Sequence, residues 1–220
     1  MIIASLHQQS PLLSVSEWVQ GTPVNIDQLS GKVVLVEIFQ VNCPGCFLYS
    51  LPQAIHLHQQ YAAQGMVVLG VATAFEDFDK NTLENLVRLV NGGEVVGETL
   101  NTLKQQGQLT NGCLPYRIAF PVAMDRLVKR QGDVTIEAIQ TFIAAKLPDF
   151  NQYPADSQHK LQQHVRQYLE ALDYHAETFE RFQLQGTPSH ILIDKQGVLR
   201  ACEFGAYPNL EAQILTLLRE

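Results

Sequence analysis

The sequence predicts an α/β fold, a central mixed sheet flanked by helices, with a helical insertion before its last strands. Three observations carry that expectation. Val33–Phe39 and Met66–Ala72 are short, near-continuous apolar runs rich in β-branched residues, as strands buried on both faces are. A segment of helix length joins them, so they should be parallel through a right-handed crossover. Further on, Ser189–Ile193 and Val198–Phe204 flank an Asp194–Gly197 turn and read as an antiparallel hairpin.

At 220 residues the chain suits one well-cored domain, residues 1–220, carrying an insertion at 127–170. A formal net charge of −7 with no Lys/Arg cluster argues against nucleic acid or an anionic membrane surface as a partner. The longest apolar run, Met66–Phe75, is of strand length and too short to span a bilayer. The N-terminus shows neither a basic region nor a sustained apolar one, so a cytoplasmic location is expected.

In chain order, Trp18-Val19 and Val24–Ile26 are expected as short strands about the Gly21-Thr22-Pro23 turn, with Trp18 a packing residue. The first buried strand, Val33–Phe39, is interrupted only by Glu37. A helix should then run through Leu48, Leu51, Ile55, Leu57 and Tyr61, broken by Pro52 and ending near Gly65. His56 and His58 lie two apart, on different faces of that helix, and make a poor metal pair. After Met66–Ala72, Asn81 or Thr82 can cap a helix that Asn91-Gly92-Gly93 ends. A weaker helix covers Glu94–Gln106, and Arg117–Asp125 is expected as a strand despite Pro121.

The insertion reads as helical. Asp133 is placed to cap a helix with Ile136, Ile139, Phe142, Ile143 and Leu147 on one face. A long helix, 157–183, is expected from the four-three spacing of Leu161, Val165, Tyr168, Leu172, His175, Phe179 and Phe182. Such a stripe is core against the sheet or, in the alternative reading, a homodimer seam. Pro208–Arg219 is the last helix.

The chemistry lies at the turn after the first buried strand. Cys43, Pro44, Gly45 and Cys46 form a C-x-x-C where strand passes into helix. Pro44 fits the first helical position and Cys43 the cap. Helix N-termini favour a thiolate, and thiol pKa values there fall to roughly 3.5–7.5 from about 8.5. Cys43 is therefore the expected nucleophile, and Cys46, one turn on, the residue that resolves a mixed disulfide. Glu37, among apolar neighbours, should be poorly solvated, which favours its protonated form and suits it to proton transfer with Cys46. The alternative is an acid that reaches water at a strand end. A metal reading would need two more ligands; Cys113 and Cys202 are isolated, so no metal is expected. Cys202 reads as structural and Cys113 as a candidate auxiliary thiol.

The stretch GKVVLVEIFQVNCPGCFLYSL, Gly31–Leu51, resembles the redoxin or TlpA-like branch of the thioredoxin superfamily, whose usual form is LxGKVVLVxFWAxWCPxC. WVQGTPVNIDQLSGK is similar to the lead-in of that branch, RIAFPVAMD to its xxFPVxxD segment, and GTPSHILID to its GTPT element. The resemblance implies a thioredoxin-like fold with Thr187-Pro188 as a cis bond opposite Cys43. It implies a thiol-disulfide oxidoreductase with Cys43, Cys46 and Glu37 catalytic. Thr187, Pro188, Pro44 and Gly45 would contact substrate. No cofactor beyond the redox-active cysteine pair is implied. Partners would be protein or small-molecule disulfides and an upstream thiol reductant. His190, on the same strand face as Pro188, could touch substrate or be a core histidine.

The chain departs from the pattern in Asn42, where a tryptophan is usual, in Pro52, one residue late, and in about fifty residues before the GTP element. Two alternatives stand beside the oxidoreductase. A peroxiredoxin-like thiol peroxidase would need a threonine at position 40, which is Gln40. A non-catalytic adaptor would bind peptide at Pro188 and need no cysteine pair.

Overall fold

The N-terminal segment departs from the expected hairpin. In the computed structural model, which describes residues 2–220, Val15–Gln20 is a strand, β1, paired antiparallel with a later strand rather than with 24–26. Asn25 is the reason. Its side-chain carbonyl accepts from Ile26 N at 2.9 Å while Gln28 accepts from Asn25 N at 2.8 Å, closing a 3₁₀ turn over Ile26–Gln28. The same amide exchanges two hydrogen bonds with the Leu13 backbone. A side chain that competes for backbone groups caps rather than extends.

Every residue of β2 (Val33–Phe39) is buried, and the strand runs parallel to β3 (Met66–Ala72), Val33 opposite Met66 and Phe39 opposite Ala72. The crossover between them carries α1 (Leu51–Tyr61), closed by Gly65 at φ +96°. Next come α2 (Leu83–Gly92) and α3 (Gly97–Gln105). Thr82 caps α2, its hydroxyl accepting from Asn85 N at 3.2 Å. Strand β4 covers only Val122–Asp125, not 117–125. Pro121 has no N–H to give a ladder, so regular pairing begins after it.

The chain divides into two compact units, one of residues up to Leu127 together with Ala176–Glu220, the other Val128–His175. The second unit holds helices α4 (Ile136–Lys146) and α5 (Ala155–Ala171). Strands β5 (Leu127–Lys129) and β6 (Tyr174–Ala176) pair where the chain enters and leaves it. Thr135, not Asp133, caps α4, its hydroxyl accepting from Ala138 N at 3.2 Å. The expected long helix 157–183 is not continuous. It ends at Ala171, where Leu172 leaves the helical region at φ −81°, ψ 97°, and a separate short helix, α6 (Glu177–Arg181), follows β6. The stripe serves two cores: Val165 packs with Ile139 and Ile143, whereas Phe179 and Phe182 belong to the core under the main sheet. No single helix presents that stripe.

The main unit finishes with β7 (Ser189–Ile193), β8 (Leu199–Phe204) and α7 (Leu210–Arg219). Its sheet order is β1-β4-β3-β2-β7-β8, mixed, with β2 in the interior, parallel to β3 and antiparallel to β7. One face packs against α1, α2 and α7 in a core that includes Val33, Leu35, Phe39, Cys46, Leu51 and Ile214. Val34, Val36 and Ile38 face the other core, beside the half-buried Trp18. No helix among the described residues is long and apolar enough to cross a membrane.

Candidate active site

Strand β2 ends at Phe39, and four residues later Cys43 stands at the head of a helical segment beginning at Pro44. Cys46 N donates to the Cys43 carbonyl at 3.0 Å and approaches Cys43 Sγ at 3.3 Å, so the sulfur sits where a helix cap accepts. Cys43 and Cys46 are joined by a disulfide with a Cα separation of 5.4 Å. Cys46 is fully buried and Cys43 only partly, so an incoming thiol reaches the Cys43 sulfur. Cys46–Ser50 is wound as a π-turn, Leu51 N donating to the Cys46 carbonyl. The wide turn leaves Pro52 in the first turn of α1, where its missing N–H is tolerated, and so absorbs the one-residue displacement of this proline.

Opposite the cysteines, the Thr187-Pro188 peptide is cis. The Thr187 carbonyl lies 3.6 Å from Cys43 Sγ. A methyl group at Gly45 would reach Pro188 Cδ at 3.9 Å, ordinary contact, so the two line the same surface. Beside them lies a groove of about 550 Å³ walled by Leu48, Tyr49, Pro188, His190, Tyr207 and Pro208. Thus Cys43, Cys46, Gly45, Thr187 and Pro188 are brought together, with Pro44 in the intervening turn.

Glu37 and His190 face each other across the β2–β7 pairing. Glu37 Oε2 is 2.7 Å from His190 Nδ1, and the two side chains are 0 % and 1 % exposed. His190 Nε2 is 3.0 Å from the Gly205 carbonyl. The water-reaching alternative for Glu37 is therefore excluded, and His190 is a core residue. Desolvation is the largest influence on the imidazole and pulls its pKa down. The Glu37 hydrogen bond and charge, the Gly205 carbonyl and the charge of Glu203 together outweigh it, and the pKa is raised. By strand alternation Glu37 shares its face with Val33, Leu35 and Phe39, the face packed against Cys46.

Solved structures with the same arrangement of sheet and helices include a thioredoxin-like superfamily protein, 26 % identical over 97 % of each chain with a TM-score of 0.58. A thiol-disulfide isomerase from Corynebacterium glutamicum is 27 % identical over 96 % of this chain and 97 % of its own, TM-score 0.58. The fold is thioredoxin-like. A thioredoxin-like protein solved in its oxidised form shares it at 16 % identity, covering 97 % of this chain and 96 % of its own, TM-score 0.52. No protein-family model and no curated protein sequence matches the chain.

Two residues of this thioredoxin-like site escape sequence reasoning. Gln40, buried, accepts from the Thr187 hydroxyl at 3.0 Å and so ties the end of β2 to the Pro188 loop. Asn42 accepts from Glu98 N at 2.7 Å and donates to Asp77 at 2.8 Å, while its own N–H donates to Asn81 at 2.8 Å. Its only signal in the sequence is its occurrence where the related motif carries tryptophan. The other cysteines lie apart from the pair and are free. Burial, with the charge of Glu203 adding, pushes the Cys202 thiol up to about 12, which makes it a poor nucleophile. Cys113 takes part in the Thr110–Cys113 turn. His56 is exposed while the His58 ring lies 6.0 Å from that of Phe120, and no group of metal-ligating side chains occurs among the described residues.

Proposed function

We propose that this chain is a thiol-disulfide oxidoreductase acting on protein disulfides, with the Cys43–Cys46 couple as its electron carrier. The observation that carries the reading is a partly exposed Cys43 at a helix N-terminus, bonded to a buried Cys46 and set against the Thr187-Pro188 turn. In the reducing direction the Cys43 thiolate attacks a substrate disulfide and expels one substrate thiolate. Cys46 then attacks Cys43, releasing the second thiolate and leaving the Cys43–Cys46 disulfide. Two electrons pass to the substrate, and an upstream thiol reductant restores the pair. Glu37 takes the Cys46 proton as that sulfur becomes a nucleophile. The backbone at Thr187, beside Cys43 and free of a proline N–H, supports an extended substrate segment, with Pro44 and Gly45 lining its other side.

The test is the redox equilibrium of the pair across glutathione or dithiothreitol buffers, read by alkylation and mass. A single two-electron transition is expected, with Cys46→Ser accumulating a mixed disulfide at Cys43 and Cys43→Ser accumulating none. Failure to form the intramolecular disulfide in any buffer overturns the reading. Turnover of hydrogen peroxide with a thiol donor, faster than disulfide exchange, would replace it with the peroxidase.

A further inference from the structure

We infer that Glu37 and His190 form one buried proton-holding pair for the Cys43–Cys46 couple, in which His190 is a positioning residue that governs the proton Glu37 exchanges with Cys46. The inference rests on the proposed exchange chemistry and adds a residue to it. Both side chains are withdrawn from water, so neither can hold a lone charge cheaply; they must share a proton. The Gly205 carbonyl can only accept, so His190 Nε2 carries a hydrogen. The mobile proton then belongs between Nδ1 and Glu37 Oε2. Glu37 Oε1 is buried and has no hydrogen-bond partner among the described residues, on the face of the sheet that packs against Cys46.

The other titratable groups on that face are few. Glu203, exposed, pairs with His190 across the β7–β8 ladder, and Tyr207, its ring 6.0 Å from that of His190, donates to Gln213. Tyr61 on α1 donates to Glu211 on α7, Tyr116 donates to the Phe47 carbonyl at 2.8 Å, and His58 lies against Phe120. Gly70, beside Glu37 on β3, brings no charge. Of these, none touches Glu37.

The proton balance follows. An external dithiol breaks the Cys43–Cys46 bond, becomes a disulfide itself, and delivers two electrons to the two sulfurs. Cys43, partly exposed at the helix N-terminus, can remain a thiolate; the buried Cys46 cannot. Glu37 accepts the proton from His190 Nδ1, passes it to the Cys46 sulfur, and returns to carboxylate. The pair, buried at rest, recovers its proton by a transient opening toward the groove that His190 borders beside Pro188. Oxidation runs the same path backwards.

The test is the Cys43–Cys46 equilibrium against a reference dithiol between pH 5 and pH 9, for the wild type and for His190→Asn, which keeps a donor toward Glu37 but does not titrate. Each proton linked to the couple changes the equilibrium constant tenfold per pH unit, about 30 mV for two electrons. The reduced couple, with the Cys43 thiolate at the helix N-terminus, should hold the pair's proton more tightly than the oxidised couple does, so the wild type should show an inflection that His190→Asn removes. Superimposable profiles overturn the pair while leaving the exchange chemistry standing; a wild type that never exchanges with the buffer overturns both. Should the variant not fold, the His190 ring can be titrated by NMR in the oxidised and reduced wild type. A midpoint that moves upward on reduction supports the coupling, and an unmoved one overturns it.

Discussion

Asn42, immediately before the reactive cysteine, is held by two segments outside its own turn: the 77–81 turn, through Asp77 and Asn81, and the first turn of α3. Its carboxamide oxygen does for α3 what a capping side chain does from within, accepting an N–H that the helix leaves free. Gly97 makes the approach feasible. It stands at φ +56°, and a Cβ there would fall on the Asn42 side chain. Gly97→Ala should therefore cost about 1–3 kcal/mol, from left-handed strain and the displaced Asn42 together. Urea unfolding measures the loss. Asn42→Ala should cost less in the Gly97→Ala background than in the wild type, because the clash has already displaced the amide. Additive losses, or a Gly97→Ala change under about 0.5 kcal/mol, would show that the contact does not constrain the loop.

Among the elements, β4 and α6 are joined through Asp125. Its carboxylate, fully buried at the end of β4, accepts from Thr73 Oγ1 at 2.8 Å and from the backbone N–H groups of Thr178 and Phe179 at 2.8 and 3.1 Å. Burial pushes its pKa up to about 6 even though all of these donors pull it down. An acid whose folded pKa lies above its unfolded value of 3.8 favours folding in its neutral form. Its contribution is complete below the unfolded pKa and is lost as pH rises to about 6. Across that window the stability of the wild type relative to Asp125→Asn should fall by on the order of 3 kcal/mol and then level off. Urea unfolding of both proteins from pH 4 to pH 7 measures it; a constant difference would refute the shifted carboxyl. The Asp125 connection also marks what patterning does not reveal. β2 and β3 are buried on both faces and α2 buries one stripe in one core, and their unbroken apolar runs or helical period find them. The stripe over 161–182 is shared between two cores, and only tertiary contacts divide it. Val24–Ile26 is likewise apolar enough for a strand until Asn25 finds Leu13. In the site, Cys43, Cys46 and Glu37 stand out by spacing and by contrast with their neighbours. The partner of Glu37 does not, because His190 meets it only through the β2–β7 register, and that pairing spans 153 residues of sequence.

At the scale of the whole chain, the two units rest on cores of very different size. In the main unit, the six-stranded sheet is covered on both faces, and β2 and β3 are nearly devoid of exposed surface. Among the described residues, the Val128–His175 unit closes over three buried hydrophobics, Ile139, Ile143 and Val165, flanked by partly buried ones such as Phe142 and Leu169. Small cores bury a smaller share of their surface and sit nearer the threshold for opening. The β5–β6 pair sets the segment's two ends side by side, with Arg130 N donating to the Asp173 carbonyl at 2.9 Å. Native-state hydrogen exchange should therefore find two levels of protection. Amides of α4 and α5 are expected to exchange through a local opening with weak dependence on denaturant, while those of β2, β3 and β7 exchange only on global unfolding. The cysteine pair lies at the end of β2, so its redox equilibrium should hold at urea concentrations that have already released α4 and α5. A single protection level shared by α5 and β2 would mean that the two units unfold as one, and the site would then lose its disulfide chemistry at the same denaturant concentration as the helices lose their protection.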